Sequence, residues 1–132
     1  MHPRKFSRHL HHDDIVAAIH RAEHLTSGQL RVVVTHRHVD DPVLAAQAEF
    51  LRLGMDKSRE RNGVLIFVAP RSRKFAVIGD EAVHARCGDG FWHKLADTMS
   101  GYFRKSEFTP GIVHGVQTAG ELLARHFPPP PG

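Results

Sequence analysis

The sequence predicts an α/β fold, a three-layer α/β/α sandwich around a small mixed sheet of three to four strands with about five helices. Three observations predict it. Positions 64–69 are apolar throughout, apolar residues recur at helical spacing before and after them, and only residues 70–74 separate them from the next apolar segment. A chain of 132 residues is the size of one domain with one core.

The first predicted helix follows residues 1–12, with Asp13 or Asp14 as its N-cap and Gly28 as its stop. Its predicted buried stripe consists of Ile15, Ile19 and Ala22. Residues 30–35 are then rich in β-branched side chains, which predicts the first strand.

A second helix is predicted to begin at Asp41 and Pro42, because aspartate is a good N-cap and proline suits the first helical turn. Its predicted buried stripe is Leu44, Ala48, Leu51 and Met55. This helix connects the first strand to the second, so those two strands should be parallel.

The clearest predicted strand covers residues 64–69, whose continuous apolar run is typical of a central strand with both faces covered. The link over residues 70–74 is too short for a parallel crossover. Residues 75–78 should therefore return as an antiparallel hairpin strand. The predicted sheet is mixed.

Three more helices are expected after the hairpin: a short one around residues 82–85, a longer one from about 91 to 104, and a last one that opens at Thr109 and Pro110. Their predicted buried stripes are Phe91, Leu95, Met99, Tyr102 and Phe103 in the longer helix, and Ile112, Val116, Ala119 and Leu123 in the last. The last helix also contains Gly111, Gly115 and Gly120, which lower helix propensity and permit close packing.

The predicted organisation is a leader over residues 1–12, one domain over 13–127 and a proline-rich tail over 128–132. Cys87 is the only cysteine, which excludes an intrachain disulfide and favours a reducing compartment. No apolar run approaches the length of about 18 residues that a membrane span requires, and the first ten residues do not resemble a signal peptide. We therefore expect a soluble, cytoplasmic protein without a membrane span.

The net charge of +4 arises from 18 basic and 14 acidic side chains, too small an excess to indicate a nucleic-acid partner. The 12 histidines are scattered along the chain, so biased composition is the simplest interpretation. A protein partner stays open, and the sequence does not determine the oligomeric state.

The predicted strand directions bring the loops at residues 26–28, 55–62 and 79–81 to one edge of the sheet. This acidic edge contains Asp56, Asn62, Asp80 and Glu81. Carboxylate and amide oxygens are the ligands that Ca²⁺ and Mg²⁺ prefer, and a neighbouring glycine allows a close approach. The edge is a candidate metal site, with solvated loop charges as the alternative.

The opposite edge should collect a basic cluster of His36, Arg37, His38, Arg71 and Arg73. Such a cluster is able to bind phosphate or another anion. The alternative is that these residues are ordinary polar turn residues, since short β-turns are usually polar for conformational reasons.

Several segments carry a resemblance to a known family: residues 22–32 (AEHLTSGQLRV), 61–66 (RNGVLI), 75–81 (FAVIGDE), Phe91 with Trp92, 111–113 (GIV) and 126–128 (HFP). Together, from about Asp14 to Pro128, they resemble the TPM domain family, and the chain looks like a small bacterial member. The resemblance implies an α/β/α sandwich. Plant members have been assigned acid phosphatase activity and several members bind divalent cations, whereas most bacterial members have no assigned function.

The family's cation ligands correspond to Asn62, Asp80 and Glu81 in this chain. Many TPM domains carry Lys-Asp-Asn-Gly before the second strand, and Arg61 stands where that sequence has its acid. This departure removes an anionic ligand. Arg61 is expected either to pair with Asp80 or Glu81, or to hold a phosphate together with Arg59.

The preferred functional hypothesis is a non-enzymatic accessory or interaction domain with a weak Ca²⁺ or Mg²⁺ site and no organic cofactor. The first alternative is a metal-dependent phosphomonoesterase, for which Asp80, Ser27 and Arg61 are the catalytic candidates. No nucleophile elbow or phosphate-binding glycine-rich loop accompanies them. The second alternative is anion binding by the basic cluster.

Overall fold

The computed structural model describes residues 11–129, so most of the predicted leader and the last three residues of the tail lie outside the described part of the chain. The helices are α1 (His12–His24), α2 (Pro42–Arg52), α3 (Glu81–Cys87), α4 (Asp89–Arg104) and α5 (Phe108–His126). The strands are β1 (Leu30–Val34), β2 (Val64–Ala69) and β3 (Lys74–Gly79). Short 3-10 helices cover Met55–Lys57 and Pro70–Ser72. Within residues 11–129, no helix combines the length and apolarity needed to cross a bilayer.

The three strands form one sheet in the order β1-β2-β3. β1 runs parallel to β2, with Leu30 opposite Val64, and β3 runs antiparallel to β2, with Gly79 also opposite Val64. Every residue of the central strand β2 is buried. The predicted mixed sheet and the predicted hairpin are confirmed.

Helices cover both faces of the sheet, because β2 presents apolar side chains alternately to each face. On one face, Ile66 and Val68 belong to a core that includes Ile15 of α1, Leu95 of α4 and Ile112 of α5. On the other face, Leu65, Phe67 and Ala69 pack in a second core with Ala46 and Phe50 of α2. The predicted α/β/α sandwich is confirmed.

The predicted buried stripe of α2 is wrong at three of its four positions. Leu44 is 64% exposed and Leu51 is 61% exposed, and Ala48 also faces solvent, whereas Ala46 and Phe50 face the sheet. This helix is apolar on more than one side, so helical periodicity alone leaves two orientations open. Packing against β2 and β3 selects the side on which the small Ala46 permits a close approach.

Both predicted ends of α1 are also wrong. The helix begins at His12 with His11 as its N-cap, and no side chain of residues 11–129 caps it, so Asp13 and Asp14 lie within the first turn. It ends at His24 with Leu25 as its C-cap, and the hydroxyl of the next residue, Thr26, donates to the carbonyl of Phe127. Gly28 instead allows a close approach, since an added Cβ there would lie 3.1 Å from the Asn62 carbonyl oxygen.

The glycines of α5 lie where neighbouring helices approach closely. A Cβ added at Gly120 would lie 2.6 Å from the Cβ of Ala22 in α1, and one added at Gly115 would lie 2.8 Å from the Met99 sulfur in α4. Real Cβ contacts are not this short. The glycines therefore allow α5 to pack against both helices.

Candidate functional site

The loop before β2 and the turn after β3 meet at one edge of the sheet. The backbone N–H of Asp80 donates to the carbonyl of Gly63 at 2.9 Å, and the N–H of Ala82 donates to the carbonyl of Arg61 at 3.2 Å. These bonds continue the β2–β3 pairing past the strand ends. They place the polar side chains of both loops at the edge where strand direction predicts them.

Arg61 and Asp80 form a bidentate ion pair at the centre of this acidic edge. Arg61 Nε donates to Asp80 Oδ2 at 2.8 Å and Nη2 donates to Oδ1 at 3.0 Å. A more distant contact joins Arg61 Nη1 to Glu81 Oε1 at 3.7 Å. Of the two fates expected for Arg61, pairing with the acidic residues is therefore the one observed.

Asp80 is also the N-cap of α3, because its Oδ1 accepts a hydrogen bond from the Glu81 N–H at 2.8 Å. The carboxylate is buried, with 7% of the residue exposed. Burial by itself would raise the pKa of Asp80, but hydrogen bonds from Arg61 and the Glu81 N–H, with the charges of Arg61 and His84, lower that pKa below its ordinary value. Asp80 is therefore a buried, ionised carboxylate.

The same contact raises the pKa of Arg61, first through its hydrogen bonds to Asp80 and then through the charges of Asp80, Glu81 and Asp56. The Arg61 backbone has a φ of +51°, in the left-handed region that few non-glycine residues adopt. Among non-glycine residues, asparagine and aspartate tolerate this region best, so the backbone at Arg61 also suits the acid that many TPM domains carry there.

A second polar network lies beside the ion pair. Ser27 Oγ donates to Glu60 Oε2 at 2.6 Å, and Asn62 Nδ2 donates to the same Glu60 oxygen at 2.8 Å and to Ser27 Oγ at 3.3 Å. Asn62 is 1% exposed. Sequence reasoning missed Glu60, although an acid two positions before Asn62 in a candidate loop was a usable signal.

The 3-10 turn at Met55–Lys57 holds the fourth predicted ligand, Asp56. Its Oδ1 is buried and has no hydrogen-bond partner among the described residues, and the buried Oγ of Ser58 has none there either. Buried oxygens are normally satisfied by a donor, a water or an ion, so this pair is unusual. Ser58 was not anticipated as a ligand, because a lone loop serine carries no specific pattern.

These observations test whether the edge fits a divalent cation. Both Asp80 oxygens already accept hydrogen bonds from Arg61, and the Glu81 side chain is 71% exposed. The carboxylates of Asp80 and Glu81 therefore do not offer free oxygens that face into the site. The unpartnered oxygens of Asp56 and Ser58 do suit a hard cation. Within residues 11–129, no group of three or more His, Cys, Asp or Glu side chains is arranged to hold a metal.

At the opposite edge, the structure brings together only part of the predicted basic cluster. His38 joins the hairpin through Ser72, whose Oγ lies 3.2 Å from His38 Nδ1, while His38 Nε2 lies 2.8 Å from Asp40 Oδ1. His36 and Arg37 are exposed on the preceding loop. The exposed side chains of the hairpin residues Arg71 and Arg73 form no ion pair within the described residues, so the edge is basic but open.

Two solved structures have the same fold as this chain. The BA42 protein from the psychrophilic bacterium Bizionia argentinensis is 34% identical, with a TM-score of 0.81 over 90% of this chain and 84% of that one. The N-terminal domain of a P. gingivalis protein is 17% identical, with a TM-score of 0.69 over 84% of this chain and 72% of that one, and shares the fold. The comparison with curated proteins finds no significant match. Because a TPM domain model matches residues 10–122, the chain belongs to the TPM domain family.

Proposed function

We propose that this protein is a non-enzymatic accessory or interaction domain that binds a divalent cation, Ca²⁺ or Mg²⁺, weakly at its acidic edge. The proposal keeps Asp56, Asn62, Asp80 and Glu81 as the ligand region and makes Asp56 the principal ligand. The observation that carries it is the buried Asp56 Oδ1, which has no hydrogen-bond partner within residues 11–129.

An unpartnered buried carboxylate oxygen is costly unless a proton donor or a cation satisfies it. Ser58 Oγ, in the same turn, supplies a second oxygen in the same condition. Hard cations take several oxygen ligands, often including waters, so two protein oxygens and the solvent-facing loop support weak binding.

Arg61 limits the affinity in this proposal. Its guanidinium lies against both oxygens of Asp80, and its positive charge repels an approaching cation. A cation that uses Asp80 as a ligand must first displace Arg61. We therefore expect dissociation constants in the weak range typical of extracellular modules, on the order of 10⁻⁴ to 10⁻³ M.

Titration of ¹⁵N-labelled protein with CaCl₂ tests the site directly. We expect saturable shifts of the amides of residues 54–62, and we expect their loss in Asp56→Asn. Asp97→Asn is the matched control, since Asp97 is an exposed acid on α4 and its variant has the same charge. Unshifted amides at millimolar Ca²⁺, or equal weakening by both variants, would contradict the proposal.

Replacing Arg61 by the family's acid tests the role of the guanidinium. Arg61→Asp frees Asp80 and adds an anion, so Ca²⁺ affinity should rise about tenfold or more. Arg59→Asp is the matched control, because it makes the same charge change in the same loop at an exposed position. Equal gains in both variants would indicate a general charge effect and would argue against Arg61 as the limiting group.

One observation favours a second candidate, a phosphomonoesterase. Ser27 Oγ donates to Glu60 at 2.6 Å, the arrangement of a hydroxyl beside a carboxylate base. In this reaction Ser27 Oγ would attack phosphorus while Glu60 takes its proton and passes it to the leaving oxygen, so that the alcohol departs. Glu60 would then take a proton from the water that attacks phosphorus and return it to Ser27 Oγ as inorganic phosphate leaves. With p-nitrophenyl phosphate and Mg²⁺, Ser27→Ala should abolish turnover, whereas Ser72→Ala at the opposite edge should not. Full turnover in Ser27→Ala or in Asp80→Ala would exclude this site.

A further inference from the structure

A pocket of about 580 Å³ opens at the end of the sheet opposite the acidic edge. We name it the hairpin pocket; its walls come from the end of β2, the β2–β3 hairpin, the end of α4 and the turn into α5. Along β3, Phe75 in this pocket and Asp80 are five residues apart, roughly 17 Å at about 3.4 Å per residue. The volume is in the range of small-molecule sites, about 300–1,000 Å³.

The floor of the hairpin pocket is aromatic and apolar. It contains Phe75, Phe103 and Phe108, together with the buried Val68 of β2. Phe75 and Phe103 meet edge to face with ring centroids 5.0 Å apart, and the Phe103 and Phe108 centroids are 6.0 Å apart. The three rings are only half-buried, so they offer apolar surface to a bound molecule.

The rim of the same pocket is cationic. Arg73, Lys74 and Arg104 line it, and none of its described lining residues is acidic. Lys74 Nζ donates to the Asp40 carbonyl oxygen at 2.5 Å, which holds its charge in place. Neither Arg73 nor Arg104 has an ion-pair partner in the part of the chain that the structure describes, so both guanidinium groups are available to an anion.

The backbone of the pocket walls is also unusual. Arg73 has a φ of +54° and Ser106 a φ of +60°, two of the three non-glycine residues with positive φ between residues 11 and 129. Non-glycine residues in this region are strained, and strained residues are concentrated at ligand-binding segments. At Arg73 the left-handed conformation closes the hairpin turn that carries its side chain at the rim.

We propose that the hairpin pocket binds a small amphipathic carboxylate, with its aromatic or aliphatic body against the phenylalanine floor and its carboxylate at Arg73 and Arg104. The planar guanidinium group matches a carboxylate through two parallel hydrogen bonds. Inorganic phosphate alone would leave the apolar floor exposed, and a neutral apolar molecule would leave both arginines unpaired. The ligand class is therefore defined by the floor and the rim together.

Three probes separate these contributions: 4-phenylbutyrate carries both groups, 4-phenylbutanol lacks the charge, and acetate lacks the body. In ¹⁵N spectra, 4-phenylbutyrate should give saturable shifts of Lys74, Phe75 and residues 100–106. The alcohol should bind at least tenfold more weakly, and acetate should not saturate. Unshifted pocket amides with 4-phenylbutyrate, or equal affinity for the alcohol, would overturn the proposal.

Two variants complete the test. Arg73→Gln/Arg104→Gln should weaken 4-phenylbutyrate binding at least tenfold, whereas Arg59→Gln/Arg125→Gln removes the same charge at exposed positions elsewhere and should not. Ser100→Phe places a ring in the cavity and should abolish binding. Circular dichroism shows whether each variant folds. If either Arg73→Gln/Arg104→Gln or Ser100→Phe fails to fold, the other still tests the pocket. Equal weakening by both double variants would indicate general charge attraction and would overturn the proposal.

Discussion

Arg61 and Asp80, 19 positions apart in the sequence, form two parallel hydrogen bonds of 2.8 Å and 3.0 Å across the acidic edge. The pair joins the loop before β2 to the start of α3, and Asp80 also caps that helix. Asp80 is buried, whereas 40% of the Arg61 side chain is exposed. The pair therefore adds a charged link between two loops that backbone hydrogen bonds and the buried Val83 also hold together.

Asp80→Ala should lower the free energy of unfolding by about 2 kcal/mol, because it removes an N-cap and leaves Arg61 without its partner. Asp80→Asn should lose less, since an asparagine also caps a helix. Urea denaturation with an unchanged m-value measures both losses. A loss as small as that of the exposed control Asp97→Ala would show that the pair contributes little stability.

The lowered pKa of Asp80 predicts an acid-sensitive contribution to stability. Because the folded-state pKa lies below the ordinary value of 3.8, the contribution is fully present above that value and is lost as the pH falls through the folded pKa. The stability difference between wild type and Asp80→Asn should therefore shrink between about pH 5 and about pH 2. A difference that stays constant over this range would contradict the assignment.

The two sides of α2 should respond very differently to truncation. Phe50→Ala removes a buried ring from the core under the sheet and should cost about 3–5 kcal/mol. Leu44→Ala and Leu51→Ala remove exposed side chains and should stay within about 0.5 kcal/mol of wild type. Thermal and urea denaturation of the three variants measures this contrast. Large losses of stability in Leu44→Ala and Leu51→Ala would instead support the buried stripe predicted from periodicity.

Two helical glycines form a matched pair. Gly120→Ala places a Cβ 2.6 Å from that of Ala22 and should destabilise the protein by about 1–3 kcal/mol, because α1 and α5 must separate. The Cβ of Gly101→Ala, in α4, meets no atom of the described residues within 4 Å, and the variant should stabilise the protein by about 0.5–1 kcal/mol through helix propensity. Calorimetric melting temperatures should move in opposite directions. A neutral Gly120→Ala would show that the two helices adjust without cost.

Local patterns predicted the strands well. The run from Val64 to Ala69 is β2 residue for residue, and the short link after it forces the hairpin. The same reasoning placed the loops containing Asn62 and Asp80 at one edge, because strand direction depends only on the connections. It did not identify Ser58, since a lone loop serine has no specific pattern, and it missed Glu60 although that acid lies two positions before Asn62 in the candidate loop.

The sequence by itself determined the order of the elements, the direction of the strands and the family, because these follow from apolar periodicity, link length and ordered motifs. Only the tertiary structure decided which side of α2 is buried, that Arg61 pairs with Asp80, and that Asp56 Oδ1 has no hydrogen-bond partner in the described part of the chain. The physical reason is the separation along the chain of the residues that interact. Periodicity describes neighbours along the chain, whereas these contacts depend on the packing of distant segments and on a left-handed backbone at Arg61.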